Sequence, residues 1–551
     1  MAVIESGTID SFGYLKQDYL IVDSIGLTYD IYKEIGIEPL SVNELLSKIE
    51  NDDKVWDIYK NGYTMCINQC EQTKSTEKVM RFKPKNISEL TQFVAGIRPS
   101  FQSMYKIFEN REHFDYGIKA FDDLIQDEYC SSSFILYQEH LMKVLGFAGF
   151  PMSETYTIIK AISKKKHYVI KDAKEKFIPN FAKAILETKE TTDENKALEM
   201  SNKVWQVIED SAQYGFNSAH AFSMAIDSVT LAYLKAYYPL EFYKVTLQRY
   251  TDKGNKDKVA LIKKEMIKQG IKLNSIKFGD DNRQFSIDKE NNAINQTMKS
   301  IKNMQKVAPN ILYEIGRKNY DDLFFIFKEL LSSELNKKSI DIIIKLNYFR
   351  EYGDINYILN QWQVYNDAVL IINRLRECKQ LKKSECETFG LDINVIKKYC
   401  KKETEKVFKE IDNDELIKYV LQNYESIINF VSQKYSYEPI SKIKKMSYEI
   451  GLSGYTEDID QTIEDNIYIV SDIEKNQYGT PFLSLYHVCD GDTLYIKTNK
   501  RNFEEHSCEN GDIIKCAFKT QMKKIKDEND NWIESGEEEH ILKDFVILDN
   551  I

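Results

Sequence analysis

The sequence predicts a multidomain, mainly α-helical protein that ends in a small five-stranded β-barrel. Three observations carry this reading. The chain has 551 residues, well beyond the roughly 250 to 300 at which a single core stops growing. Glycine and proline are sparse, 22 and 9, and between residues 30 and 430 Leu, Ile, Lys and Glu recur at helical spacing. From residue 460 onward the chain changes to short β-rich runs separated by turn signals.

Taken in order, residues 122–145 exemplify the helical part, with Leu124, Ile125, Ile135, Leu136, Leu141, Val144 and Leu145 as the apolar positions. Residues 366–459 give a helical reading only. The runs 466–473, 481–488, 493–498, 513–521 and 540–548 read as strands, punctuated at 477–480, 490–492 and 510–512. Composition shifts place boundaries near residues 30, 270, 365 and 460.

Lys and Arg total 75 against 86 Asp and Glu, a formal charge of −11. That balance counts against a protein that coats nucleic acid by bulk attraction, so any DNA contact must be local. Basic clusters stand at 160–167, 171–176, 337–338 and 497–501, although such runs are ordinarily solvated faces. No apolar run approaches the roughly 18 residues of a membrane span, and the first eight residues lack a charged-then-apolar signal. A soluble, cytoplasmic protein without a membrane partner is expected. The nine cysteines are scattered, and Cys378, Cys386 and Cys400 have neither CxxC spacing nor nearby histidines, which favours reduced thiols over a zinc site. Walker, GxGxxG, HExxH and GxSxG motifs are absent, and seven histidines leave little for histidine-based metal catalysis.

Longer segments are more informative. They are Leu15-Lys16-Gln17-Asp18-Tyr19-Leu20, Asn68-Gln69-Cys70-Glu71, the apolar run that ends in Arg98-Pro99, Leu136-Tyr137-Gln138-Glu139, Ala161-Ile162-Ser163-Lys164-Lys165-Lys166, and Tyr214-Gly215-Phe216-Asn217-Ser218-Ala219-His220-Ala221. The last continues into an Ala-Tyr-Leu-Lys-Ala-Tyr-Tyr-Pro-Leu-Glu-Phe run at 232–242. In consistent order from about residue 13 to residue 352, these segments resemble the C-family replicative polymerases, the bacterial DNA polymerase III alpha subunit.

The resemblance implies the C-terminal half of a split, phage-type enzyme: a palm remnant over 1–30, fingers over 31–269, a helix-hairpin-helix and clamp-binding-like module over 270–365, a helical connector over 366–459 and an OB-like barrel over 460–551. It makes Asp18 a catalytic ligand of Mg²⁺, one of the carboxylates that hold two ions about 4 Å apart for nucleotidyl transfer. Lys16, two residues away on the same strand face, is placed near the triphosphate. Arg98, Lys160, Lys164, Lys165 and His220 are implied contacts to the deoxynucleoside triphosphate, where cations balance the charge of the leaving group.

The sequence departs from the family at several of these places. Lys160 replaces an arginine, exchanging a bidentate fork for a point charge. Met224 stands where the family has a tyrosine against the base. Asn303-Met304-Gln305 replaces two hairpin glycines that let backbone N–H groups approach a DNA phosphate. Lys299 and Lys302 are the DNA-binding candidates of that hairpin. On the barrel, Phe482, Tyr486 and Tyr495 beside Lys497, Lys500 and Arg501 suit base stacking along a single strand.

Nothing before Asp18 supplies the family's two earlier aspartates, so a second polymerase chain with the N-terminal half is an expected partner. Template–primer DNA and deoxynucleoside triphosphates are others. A sliding clamp is a further candidate, though no QxxLF-type peptide is found. The competing readings are a noncatalytic replisome scaffold derived from a polymerase and, less strongly, an RNA-binding barrel protein.

Overall fold

The computed structural model describes residues 22–98, 101–127, 130–164, 166–212, 215–320, 322–388, 390–456, 458–476, 479–498, 500–526 and 532–548. Asp18, Lys16 and Lys165 lie outside them. Two compact units emerge: Met1–Arg249 with Leu261–Gln269, and Tyr250–Ala260 with Gly270–Ile551. No described helix is long and apolar enough to cross a membrane.

Helices build the first unit, the last two of them shared in part with the second: α1 Asp23–Ile35, α2 Val42–Ile49, α3 Asp53–Lys60, α4 Thr73–Phe82, α5 Ile87–Gly96, α6 Gln102–Glu109, α7 Lys119–Ile125, α8 Gln138–Phe147, α9 Met152–Ser163, α10 His167–Glu187, α11 Glu194–Ala212, α12 Ser218–Tyr237, α13 Pro239–Asp252 and α14 Lys256–Lys268. Local chemistry sets their ends. Helix α1 stops at Gly36, whose φ of 80° is left-handed backbone that glycine adopts freely. Ser41 and Glu44 form a reciprocal capping box at α2. One core joins α7 to α11 through the fully buried rings of Phe177, Phe181 and Trp205. Ala221, Ala225, Val229 and Ala232 are fully buried along α12, and their small side chains let it pack closely on α3 and α5.

The continuous helical reading of 122–145 is corrected: the chain leaves helix at Gln126 and re-enters at Gln138. The Asp122 carboxylate accepts the N–H groups of Tyr116 and Ile118 and the Ser133 hydroxyl at 2.6 Å. Such side-chain to backbone bonds offer the chain an alternative to helix.

In α8, His140 is 7% exposed and sits edge-on to Tyr137 at 5.1 Å. Burial, aided by the nearby Lys143 charge, pushes its pKa down to about 4. Between pH 6.5 and 4 the unfolded chain therefore holds more protons at this site than the folded one, and stability falls as the pH drops. Across that window the expected loss is roughly 3 kcal/mol. Urea unfolding at pH 7 and pH 4.5 should show this loss in the wild type and a smaller one in His140→Phe; equal acid sensitivity of the two would refute it.

In the second unit, β1 Lys272–Asn274, β2 Ser286–Asp288 and β3 Ala293–Asn295 form a sheet in the order β1-β3-β2. A 3₁₀ turn over Met298–Ser300 follows. Then α15 Ala308–Gly316, α16 Leu323–Ser332, α17 Lys337–Lys345 and α18 Ile355–Glu377 share one core. The stretch 366–459 is not helical alone. With α19 Lys383–Thr388, α20 Ile393–Ile396, α21 Asn413–Gln422, α22 Tyr424–Ser432 and α23 Lys442–Ser453, it holds strands β4 Gln380–Lys382, β5 Cys400–Glu403 and β6 Val407–Ile411, ordered β4-β6-β5. These strands are too short and too rich in Lys and Glu to show an alternating pattern.

The terminal strands β7 Ile467–Lys475, β8 Pro481–His487, β9 Thr493–Thr498, β10 Ile513–Lys526 and β11 Trp532–Ile547 close a barrel in the order β7-β8-β9-β11-β10, with α24 Lys500–Glu505 after β9. Within it β9 and β11 run parallel and the other pairs antiparallel, which is an OB-like barrel. All five expected strands fall on these elements. Strict alternation along β8 buries Leu483 and Leu485 against Val470, Ile496, Ile514 and Leu542. Helix α23 adds Ile443, Met446 and Ile450 to a second apolar cluster with Ile467, Ile469, Val488 and Ile513. Its Gly451 meets Gly511 so closely that a Cβ there would lie 2.8 Å from the Gly511 Cα.

Candidate functional site

The start of α12 is the centre of the candidate site. Phe216 pairs with the segment before α8: its N–H bonds to the Leu136 carbonyl, and its own carbonyl accepts the Gln138 N–H at 2.9 Å. The Arg98 guanidinium lies 3.4 Å above the Phe216 ring, and the His220 ring meets the same phenyl edge-on at 5.1 Å. Arg98 and His220, expected from sequence to act together, are thus gathered around one aromatic side chain. His220 is exposed and Arg98 half-buried. Partial burial lowers the Arg98 pKa from its high ordinary value, leaving a charged group on a partly dried surface.

The helix terminus itself is already occupied. Asn217 accepts the His220 N–H at 2.8 Å, while the Glu139 carboxylate accepts the Ser218 N–H at 3.0 Å and the Asn217 amide at 2.9 Å. A carboxylate at a helix N-terminus stabilises it and repels a second anion. An anion approaching here would meet the ring of His220 and the guanidinium of Arg98, whereas the capped N–H groups of Ser218 and His220 are spoken for.

One turn further, the Met224 sulfur accepts the amides of Asn68 at 3.6 Å and Gln69 at 3.3 Å. Asp227, on the same face, takes the Asn68 amide at 2.6 Å and the Ser24 hydroxyl at 2.5 Å. Burial raises the Asp227 pKa, and these two hydrogen bonds oppose the shift. The loop of residues 63–71 is held from beneath. Lys235 is 1% exposed, and its ammonium bonds the carbonyls of Tyr63 and Met65 at 2.8 and 2.5 Å and the Glu265 carboxylate at 2.5 Å. Glu265 also receives the Met65 N–H and the Tyr243 hydroxyl. Sequence reading placed Asn68, Gln69 and Lys235 inside matching segments but gave them no partners. Ser24, Asp227 and Glu265 it missed, because their roles exist only when residues some 30 to 200 positions apart meet.

Lys160 on α9 and Lys164 just past its end stand elsewhere in this unit, both exposed, and the principal packing partners of α9 are α8, α10 and α11. Lys160 lies 5.8 Å from the ring of the half-exposed Tyr156. Among the described residues of the first unit, no group of three His, Cys, Asp or Glu side chains is placed to hold a metal ion.

In the second unit Lys299 pairs with Asp252 at 3.2 Å and, with Lys277, Arg283, Lys306 and Arg350, lines a polar cleft of about 1350 Å³ that also carries Asp280, Asp281 and Asp288. Lys302 is engaged within the fold, donating to the Ser471 carbonyl at 2.8 Å and standing 3.7 Å from Asp472. Asn303 adopts a left-handed φ of 61° in the turn that follows. On the barrel, Phe482 and Tyr495 stack outward with centroids 5.4 Å apart, and Lys497 is the cross-strand neighbour of Phe482. The Tyr495 hydroxyl bonds Glu474. Tyr486 turns its hydroxyl to the Asp458 carbonyl, Lys500 is exposed, and Arg501 pairs with Glu505.

The helical unit thus carries an arginine and a histidine on one aromatic platform, and the second unit carries an OB-like barrel. Residues 29–184 match the finger domain of the bacterial DNA polymerase III alpha subunit. The chain is 26% identical over 351 residues to the DNA polymerase III subunit alpha of Bacillus subtilis (strain 168), covering 63% of this chain and 30% of that protein. It is 25% identical to the Ureaplasma parvum subunit, covering 63% and 35%, and 26% identical to the Aquifex aeolicus one, covering 62% and 29%. Over this region the chain is similar to the C-family polymerase alpha subunit, and it spans about a third of the length of the curated relatives it matches.

Proposed function

We propose that this chain is the fingers-bearing part of a split DNA-directed DNA polymerase of bacteriophage type, working in the cytoplasm of the host cell. In this reading Arg98 and His220 hold the triphosphate of an incoming deoxynucleotide, Lys160, Lys164 and Lys165 add cationic charge, and Met224 borders the base. Asp18 contributes one carboxylate to the two-Mg²⁺ centre, and a second polypeptide contributes the other two. Magnesium there activates the primer hydroxyl and steadies pyrophosphate. Lys299 and the outward face of the barrel take template–primer DNA, Lys302 serving to hold the hairpin in place through Ser471, with a sliding clamp as a further partner. The observation that carries the reading is the Arg98–Phe216–His220 stack, which joins two of the segments that resemble the family in sequence.

Primer extension tests it, using this chain alone and together with a neighbouring-gene product that carries an Asp-x-Asp pair. The chain alone should be inactive and the pair active. Arg98→Ala should raise the KM for nucleotide about tenfold, the effect of one charge-assisted contact, and His220→Ala should act in the same direction. The rival reading, a noncatalytic replisome scaffold, is favoured by the engagement of Met224 with Asn68 and Gln69. It predicts binding of primer–template DNA with no extension under any pairing, and that outcome would overturn the polymerase proposal.

A further inference from the structure

At the end of the barrel, a histidine, a cysteine and an aspartate converge that no part of the polymerase reading uses. One ring nitrogen of His487, the Cys489 sulfur and a carboxylate oxygen of Asp465 all lie within 4.8 Å of one another. We propose that these three side chains bind a single zinc ion, with a water or the Asp465 carbonyl completing the coordination.

The local fold presents the donors. Asp465 lies two residues before β7, whereas His487 ends β8 and Cys489 sits in the turn to β9. That turn is pinned by the His487 N–H on the Asp492 carbonyl at 2.7 Å and the Gly491 N–H on the His487 carbonyl at 3.0 Å. The His487 ring is 8% exposed as part of its residue and stacks on Tyr468 with centroids 4.7 Å apart and planes 26° apart, so its orientation is fixed. Asp465, by contrast, has a side chain that is 98% exposed and free to swing inward.

The donors stand near the spacing zinc takes, and small side-chain shifts bring them onto it. Its bonds to imidazole and carboxylate are about 2.0 to 2.2 Å and to thiolate about 2.3 Å, so tetrahedral donors stand roughly 3 to 4 Å apart. His487 Nε2 faces Asp465, 3.5 Å from Oδ1 and 2.8 Å from the carbonyl oxygen. A second and independent observation is on the far side of the ring, where Nδ1 lies 2.8 Å from Asp490 Oδ1. A carboxylate that accepts a hydrogen bond from the Nδ1–H and leaves Nε2 for the metal is the outer arrangement zinc-binding histidines use. On binding, zinc replaces the Nε2 proton, and the Cys489 thiol gives its proton to solvent to become the thiolate ligand. Mixed sulfur, nitrogen and oxygen donors favour zinc over magnesium or calcium. The ion would tie the entry of β7 to the β8–β9 turn.

Calorimetric titration of zinc chloride into the full chain should show one tight site. Cys489→Ser should abolish it, and Asp490→Asn should weaken it about 10- to 100-fold. Cobalt should give a thiolate charge-transfer band with the wild type that Cys489→Ser lacks. Cys489 is only partly buried, so this variant should fold, as circular dichroism would verify. No zinc binding by the wild type, or full stoichiometry and affinity retained by Cys489→Ser, would overturn the proposal. Neither result depends on polymerase activity.

Discussion

Lys235→Met should destabilise the first unit by about 3 to 5 kcal/mol, the usual cost of removing one partner from a buried ion pair. The Lys235 ammonium has no exposed surface in its side chain and serves two backbone carbonyls as well as Glu265. Its loss leaves the Glu265 carboxylate without a counter-charge and both carbonyls without their donor in a largely buried site. Urea unfolding should show the midpoint of this unit moving sharply down, and a change below about 1 kcal/mol would show that the pair is dispensable. The double variant Lys235→Met, Glu265→Met should recover part of the loss, because no unpaired charge then remains. Residues 63–71 hang from this pair, so loosening should reach Asn68 and Gln69 and, through them, Met224.

In the reconstituted two-chain enzyme, Asp18→Asn should cut primer extension by several orders of magnitude while leaving primer–template binding nearly unchanged. A carboxylate shared between two magnesium ions works mainly on charge that develops in the transition state, so its loss appears in kcat. If Asp18→Asn extended primers at the wild-type rate, the assignment of this aspartate to the metal centre would fail. A proportional loss of DNA binding would point instead to misfolding.

Much of the architecture was legible in the sequence. The barrel strands announced themselves by period-two alternation and turn signals, as along β8, where buried and half-buried residues alternate without exception from Pro481 to His487. Helical spacing identified the first unit but overran a break at 126–137, because Asp122 reaches eleven residues to Ser133 and no periodicity records such a bond. The sheet at 380–411 was invisible for a related reason: strands of only three to five residues with Lys and Glu among them carry no pattern of their own and rest on the core beneath them. Arg98 and His220 could be named because they sit in long ordered segments. Their common platform, Phe216, and the carboxylate cap supplied by Glu139 became visible only in three dimensions. Cys489 was passed over because its metal-binding neighbours are spread between 465 and 490 without a recognisable spacing.

The contact between Gly451 and Gly511 bears on how the protein can be dissected. A recombinant fragment that starts at residue 460 would keep every barrel strand yet discard the helix whose Ile443, Met446 and Ile450 cover Ile467, Ile469 and Ile513, and it would leave the Gly511 carbonyl without the Ser447 hydroxyl. Such a piece would expose a greasy scar and tend to aggregate. The practical cut lies before Ser441, where the helix begins, and two glycines with no side chain to trim explain why that seam tolerates no bulkier residue.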